Sequence, residues 1–106
     1  MKINNLFEIV SILTKQDEKT LTERGLKLSE ECGELAQAIL SHTKTSCCGY
    51  KNKNENDIAE ECCDTIIVAL SIFCETGKNE DEFKKIMREK LDKWRNKIEE
   101  NKEVNK

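Results

Sequence analysis

The sequence predicts a small all-α domain, a four-helix bundle type, and three observations support that fold class. The 106-residue chain contains no proline. Apolar residues recur at spacings of three and four, and alternating runs of β-branched residues are absent. A chain of this length typically forms one domain, because domains contain about 100–150 residues. We therefore expect a single helical domain over residues 1–106, with a flexible tail over 100–106.

The first two helices follow from apolar residues at helical spacing. The first is short, and the polar stretch 14–20 is expected to end it. Its apolar positions are Leu6, Ile9, Val10 and Leu13. The second helix is predicted from about Thr22 to Ser41, with one apolar stripe along its length. The stripe consists of Leu28, Cys32, Leu35, Ala36 and Ile39.

The last two helices follow a hydrophilic loop over 42–56. Asp57 is predicted as the N-cap of the third helix, because Glu60 three residues later completes a pattern like a capping box. This helix continues to about Glu75, and Gly77 is placed to cap its C-terminus. The fourth helix is predicted over about 81–99. Its expected core face is Phe83, Ile86, Met87, Leu91, Trp94 and Ile98.

Composition excludes some classes of function. The formal net charge is -3 with 37% charged residues of both signs, whereas a protein that binds nucleic acid polymers usually has a basic excess. No apolar run approaches the ~20 residues that a membrane span needs. The N-terminus carries no signal-peptide pattern. We therefore expect a cytoplasmic protein that engages neither a nucleic acid polymer nor a membrane.

Six cysteines invite a zinc or disulfide interpretation, but their spacing is poor for both. Four of them are expected to pack as small hydrophobic residues on helices. These are Cys32, Cys62, Cys63 and Cys74. The adjacent pair Cys47 and Cys48 lies in the polar loop, where metal capture or redox sensing stays open as an alternative.

The informative pattern is two pairs of acids. Glu31 and Glu34 are three residues apart on the second helix, and Glu61 and Asp64 are three apart on the third. Such residues are neighbours on one helical face, so an antiparallel hairpin would bring four carboxylates together. Asp64 stands in an apolar run, where an ionised carboxylate needs compensation. Either some acids are protonated, or a hard divalent cation such as Mg2+ or Mn2+ binds. Gly33, between the acids of the first pair, would let another backbone or a ligand approach closely.

Two sequence segments around these acids resemble a known family. LSEECGELAQAI and IAEECCDTIIVAL are similar to the E-x-x-E…E-x-x-D signature of the MazG-like, all-α nucleoside triphosphate pyrophosphohydrolases. The resemblance covers about residues 26–97. It implies a Mg2+-dependent hydrolase, with Mn2+ as a substitute, that converts nucleoside triphosphates to monophosphate and pyrophosphate in a house-cleaning role. It also implies a homodimer or homotetramer with substrate sites at the subunit interface.

The resemblance also assigns roles to residues. Glu31, Glu34, Glu61 and Asp64 would be the metal ligands and catalytic acids. Glu30 and Glu60 would support the ligands or orient water. In the helix-four segment REKLDKWR, Lys90 and Lys93 would hold phosphate. We expect Trp94 to pack in the core, with stacking on the nucleotide base as the alternative.

Three interpretations of function are therefore weighed. The first is the pyrophosphohydrolase, favoured because all four signature acids are present. The second is a non-catalytic metal-binding helical module with a regulatory or interaction role. The third, a thiol-based zinc or redox protein, depends on Cys47 and Cys48 and on the number of cysteines. Because the third helix is apolar on nearly all sides, we also expect at least a dimer.

Overall fold

Four α-helices make up the structure, a computed structural model that describes residues 5–43 and 55–104. The helices are α1 (Leu6–Gln16), α2 (Leu21–His42), α3 (Glu55–Glu75) and α4 (Glu80–Val104). Within the described ranges no β-strand occurs. The predicted all-α class is confirmed. No helix in these ranges is long and apolar enough to cross a membrane.

Side chains at the helix starts explain where three of the helices begin. Asn5 accepts a hydrogen bond from the Glu8 N–H at 3.0 Å at the start of α1. Thr20 and Glu23 form a capping box at the start of α2, which satisfies two backbone donors that the helix leaves free. Asn79 and Glu82 exchange bonds of 2.9 and 3.1 Å at the start of α4.

Glycine ends α3 as predicted. Gly77 has a φ of 82°, a left-handed conformation that costs glycine little and other residues more. Its N–H donates to the Cys74 carbonyl at 3.1 Å. The glycine cap therefore closes the helix and turns the chain toward α4.

Several predicted boundaries are wrong by a few residues. The polar residues 14–16 continue α1 instead of ending it, and α2 begins at Leu21. Since α3 begins at Glu55, Asp57 lies in its first turn and is not its N-cap. The fourth helix extends past 99 to Val104, because the intervening Glu, Lys and Asn residues contain no helix breaker. The predicted flexibility of the tail stays a prediction.

The framework is an antiparallel hairpin of α2 and α3, with α1 packed against α3. Arg24 near the start of α2 bonds Glu75 at the end of α3, and this pairing fixes the antiparallel direction. Three aromatic rings join α1, α3 and the start of α4. Phe7 lies 6.0 Å from Phe73 and 5.4 Å from Phe83 between ring centroids, and the last two are 5.1 Å apart.

Arg24 joins three helix ends. Its side chain is only 5% exposed. Nη2 donates to the carbonyls of Thr14 and Asp17 at 3.1 and 3.0 Å, and Nε donates to Glu75 at 3.2 Å. Carbonyls at a helix C-terminus lack partners within the helix, so the guanidinium satisfies the end of α1 while setting the α2–α3 register.

The apolar stripe predicted for α2 is displaced in the structure. Cys32, Ala36 and Ile39 are exposed, while Leu28 and Leu35 are half-buried. The buried positions of α2 are Arg24, Glu31, Ala38 and Ser41. The inner face of this helix thus carries an arginine and a glutamate, and the apolar pattern alone does not identify it.

The cysteines described here pack less tightly than predicted. Cys32 and Cys63 are exposed, and Cys62 and Cys74 are half-buried. The Cys62 and Cys74 positions agree with small hydrophobic residues at a partly covered face. Cys47 and Cys48 lie outside the described residues.

Most of the predicted core face of α4 is uncovered. Phe83 and Ile86 are half-buried near its start, whereas Trp94 is 65% exposed and Leu91 50% exposed. Met87 and Ile98 are exposed as well. The radius of gyration is 17.2 Å, against about 13 Å for a compact domain of this length. The expectation that Trp94 lies in a core is therefore wrong for the single chain, because no described helix packs against the second half of α4.

Candidate metal centre

Three carboxylates meet between α2 and α3. Glu31 and Glu34 come from successive turns of α2, and Glu61 comes from the facing part of α3. One oxygen from each lies within 4.8 Å of the others. Spacing of three residues places the first two on one helical face, and the antiparallel hairpin brings the third opposite them. The predicted convergence is thus observed for three of the four acids.

Two of these carboxylates have oxygens without a partner. Glu31 is 6% exposed, and its Oε1 lies 3.0 Å from the Lys27 ammonium. Its Oε2 is buried and accepts no hydrogen bond from the described residues, and the same holds for Oε2 of Glu61. A buried polar atom without a partner costs about 1–3 kcal/mol. These two atoms therefore need a ligand or a proton.

The electrostatics of the cluster point the same way. Burial raises the pKa of Glu61, and the nearby charges of Glu34, Asp64 and Glu31 raise it further. The hydrogen bond to Glu31 and the charge of Glu30 raise the pKa of Lys27. Three carboxylates against one ammonium leave two negative charges uncompensated if all are ionised. That is the charge of one divalent cation.

The donor set fits a hard cation. All three converging groups are carboxylates, and no cysteine or histidine of the described ranges joins them. Oxygen-only ligation suits Mg2+ or Mn2+, while zinc sites usually include nitrogen or sulfur. The partnerless oxygens of Glu31 and Glu61 are atoms that such an ion would satisfy. The residues present therefore fit a hard cation such as Mg2+.

Asp64 does not join the three converging acids. It is exposed, so the expectation that its apolar neighbours bury it is wrong. On a helix a residue three positions along is rotated about 60° from the first, and here that rotation takes Asp64 from the inner face while Glu61 stays on it. Its charge still acts on Glu61. Its role as a metal ligand stays a prediction.

The other predicted site residues lie at the periphery or away from the cluster. Glu30 and Glu60 are exposed, and Glu30 lies 3.6 Å from the Lys27 ammonium. Lys90 and Lys93 are exposed on α4 and line a shallow groove with Trp94. The second half of α4 does not pack on the hairpin, so one chain alone does not bring these lysines to the acids.

Sequence reasoning missed Lys27. Among the described residues, its ammonium is the one cation that forms an ion pair with a member of the cluster, and that member is Glu31. The signal was present, because lysine and glutamate four residues apart on a helix are neighbours. The acidic pairs alone indicate a metal ion, whereas Lys27 already supplies one positive charge to the cluster.

Gly33 has no packing role among the residues that the structure describes. It is exposed, and a Cβ placed on it would meet nothing within 4 Å. The expected close approach of a backbone is therefore not made by any described helix of the same chain. Approach by a ligand or a second copy stays a prediction.

Comparisons with known proteins gave no match, whether to a protein-family model, to a curated protein or to a solved structure. The resemblance to the MazG-like family therefore stays a sequence interpretation, and the function is argued from the site itself.

Proposed function

We propose that the protein is a Mg2+-dependent nucleoside triphosphate pyrophosphohydrolase. The observation that carries the proposal is the convergence of Glu31, Glu34 and Glu61 with two buried oxygens that lack partners. Carboxylates that hold Mg2+ beside bound triphosphate are a common arrangement for cleaving phosphoanhydrides. The sequence signature supplies the choice of reaction within that class.

In the proposed reaction, water attacks the α-phosphorus and the bond from that phosphorus to the bridging oxygen breaks. The products are a nucleoside monophosphate and pyrophosphate. Bound Mg2+ would supply neutralisation of the phosphate charge and acidification of the water. The attacking water loses a proton, which a nearby carboxylate accepts.

The three acids differ in what they are placed to do. Glu31 is buried between the helices, so it is placed to be a fixed ligand. Glu61 faces it from α3 and presents its own partnerless oxygen. Glu34 is the exposed member, and it can reach solvent. We assign the proton of the attacking water to Glu34, because a general base must lie within hydrogen-bond reach of that water.

The decisive experiment is a screen for pyrophosphate release over ribo-, deoxy- and modified nucleoside triphosphates with Mg2+. Glu34→Gln and Glu61→Gln should each lower turnover by about 100-fold or more while leaving the helical signal unchanged. Glu99→Gln, on the exposed surface of α4, is the matched control and should turn over normally.

Phosphorus NMR identifies the products. Monophosphate and pyrophosphate are expected, and orthophosphate as the first product contradicts the assignment. Full activity in Glu61→Gln contradicts it too. Metal-dependent stabilisation without turnover on any triphosphate would favour the alternative, a non-catalytic metal-binding module.

Self-association is part of the proposal. Apolar residues are exposed on both α3 and α4, with Ile66 55% and Ile67 47% exposed on α3. Burial of such surface is the main driving force of association. A second copy against α4 would cover Leu91 and Trp94, and it is the means by which Lys90 and Lys93 would reach an acidic cluster.

Light scattering tests this point. The wild-type protein should be at least a dimer at micromolar concentration, and Leu91→Glu should shift it toward monomer because a charge enters the apolar stripe. Glu89 is exposed and lies about 160° around α4 from Leu91, so Glu89→Gln, which also changes the charge by one, is the control and should leave the mass unchanged. A wild-type monomer contradicts the proposal.

A further inference from the structure

Lys27 occupies an unusual place beside the three converging acids. It lies one turn before Glu31 on α2, and its ammonium is 3.0 Å from Oε1 of that buried carboxylate. Its second contact is the exposed Glu30, at 3.6 Å. The lysine side chain is 41% exposed, and its four-carbon stem is flexible. The ammonium is therefore held by charge and not by packing.

A metal ion on Oε2 of Glu31 would weaken the attraction between this carboxylate and Lys27, which pairs with Oε1. A divalent cation bound to this carboxylate would stand within a few ångströms of the ammonium, and like charges at that distance repel. Lys27 supplies one positive charge to the cluster when no metal is present. When a metal binds, the ammonium loses part of its attraction to Glu31 and needs another anion.

The phosphates of a substrate are the anion that the geometry offers. A triphosphate bound to a metal at Glu31, Glu34 and Glu61 would bring its negative oxygens to the same end of the hairpin. Among the described residues Lys27 is the cation paired to that cluster, whereas Lys90 and Lys93 lie on the second half of α4. Lys27 also lines a cavity of about 200 Å³ with Lys19 and Arg24, on the side away from the three acids, which do not line it.

We propose that Lys27 is an exchangeable cation of the site, which pairs with Glu31 in the metal-free protein and binds substrate phosphate once a bound metal ion has weakened that pair. The proposal builds on the proposed metal site and adds a substrate-binding residue on α2. It predicts opposite changes in the affinity for metal and in the affinity for phosphate. Removing the ammonium should strengthen metal binding and weaken phosphate binding.

The test compares Lys27→Met, Lys27→Arg and the wild-type protein by two binding measurements without turnover. The first is Mn2+ affinity in the absence of nucleotide, from the electron paramagnetic resonance signal of free Mn2+. Lys27→Met should bind about threefold to tenfold more tightly, because a competing charge is gone. The second is affinity for inorganic tripolyphosphate with saturating Mg2+, by calorimetry. Lys27→Met should bind about tenfold more weakly, since a charge-assisted contact is lost, and Lys27→Arg should stay close to wild type in both.

Lys78→Met is the matched control. Lys78 forms an ion pair with Glu82 at the same four-residue spacing, at 3.5 Å. It follows α3 at the end opposite to Glu61, roughly 20 Å along the helix. This variant should leave both affinities unchanged. Melting curves confirm that each variant is folded, and Lys27→Gln replaces Lys27→Met if the latter is not.

The outcomes separate this proposal from the proposed function. If the wild-type protein binds no Mn2+, the metal site fails and this proposal fails with it. If the wild-type protein binds Mn2+ but Lys27→Met leaves either affinity unchanged, only the role of Lys27 is overturned. Weakening of both affinities would also overturn it, because a merely structural lysine gives that result.

Discussion

Replacing Glu31 with glutamine should change the stability of the protein in opposite directions with and without metal. In the metal-free protein Oε2 of Glu31 is buried without a partner, which costs about 1–3 kcal/mol. A glutamine of the same shape removes one of three converging charges, and its amide can donate to Glu34 or Glu61. The substitution also loses the Lys27 pair, worth about 0.2–1 kcal/mol since the lysine is partly exposed.

The net gain for metal-free Glu31→Gln is therefore about 1 kcal/mol, which raises the melting temperature by about 4–8 °C in a domain of this size. The wild-type protein should gain more from metal. At a concentration 100 times the dissociation constant, a ligand of the native state stabilises it by about 2.7 kcal/mol. The variant has lost its buried ligand and should gain little, so the wild-type protein should be the more stable one with Mg2+.

Differential scanning calorimetry with EDTA and with millimolar Mg2+ measures both states. Glu99→Gln serves as control and should follow the wild-type protein in each buffer. The reasoning is wrong if Glu31→Gln melts below the wild-type protein in EDTA. It is equally wrong if the wild-type melting curve ignores Mg2+ and Mn2+, because the metal site is then absent.

Two further predictions concern pH and Gly33. The pKa of Glu61 is raised above its ordinary 4.5, so metal-free stability should fall as the pH rises above 4.5 and through the folded-state pKa, and Glu61→Gln should abolish this fall. The capping hydrogen bonds lower the pKa values of Glu23 and Glu82, so the stability that these two carboxylates contribute should be lost as the pH falls below 4.5. Melting temperatures measured from pH 3 to 8 check both effects. If the melting temperature of the metal-free wild-type protein rises steadily above pH 4.5, the prediction for Glu61 is wrong. Gly33→Ala should raise the metal-free melting temperature by about 4–8 °C, since alanine favours the helix by up to about 1 kcal/mol and its Cβ meets nothing. Gly25→Ala, equally open on α2, should stabilise alike, and weaker tripolyphosphate binding by Gly33→Ala alone would show that a ligand approaches Gly33.

Local patterns predicted the helices well because their causes are local. The end of α3 follows from one residue, Gly77, and its left-handed conformation. Thr20 followed three residues later by Glu23 is a capping-box pattern, and it indicates that α2 begins at Leu21. Spacing identifies which positions are apolar, but it does not say what covers them. For that reason the exposure of Trp94 on α4 could not be predicted from one chain.

The site was predictable only as far as helical geometry determines it. Three-residue spacing puts two acids on one face, and this brought Glu31 and Glu34 together. Which acid of α3 faces them depends on the rotation of that helix, which Arg24 and Glu75 help to fix through a contact 51 residues apart in the sequence. No local rule contains that contact. The structure accordingly turns Glu61 inward and leaves Asp64 exposed.

The two charged residues on the inner face of α2 differ in how fully the chain accounts for them. Arg24 makes bonds to two carbonyls and a carboxylate, so its burial is explained by the fold. The burial of Glu31 is only partly explained, because Lys27 pairs with Oε1 and no group in the described ranges pairs with Oε2. One proton shared between the facing carboxylates would neutralise only one of the two uncompensated charges. One divalent cation between the helices would satisfy both oxygens and balance both charges at once, which is why we propose a metal at this site.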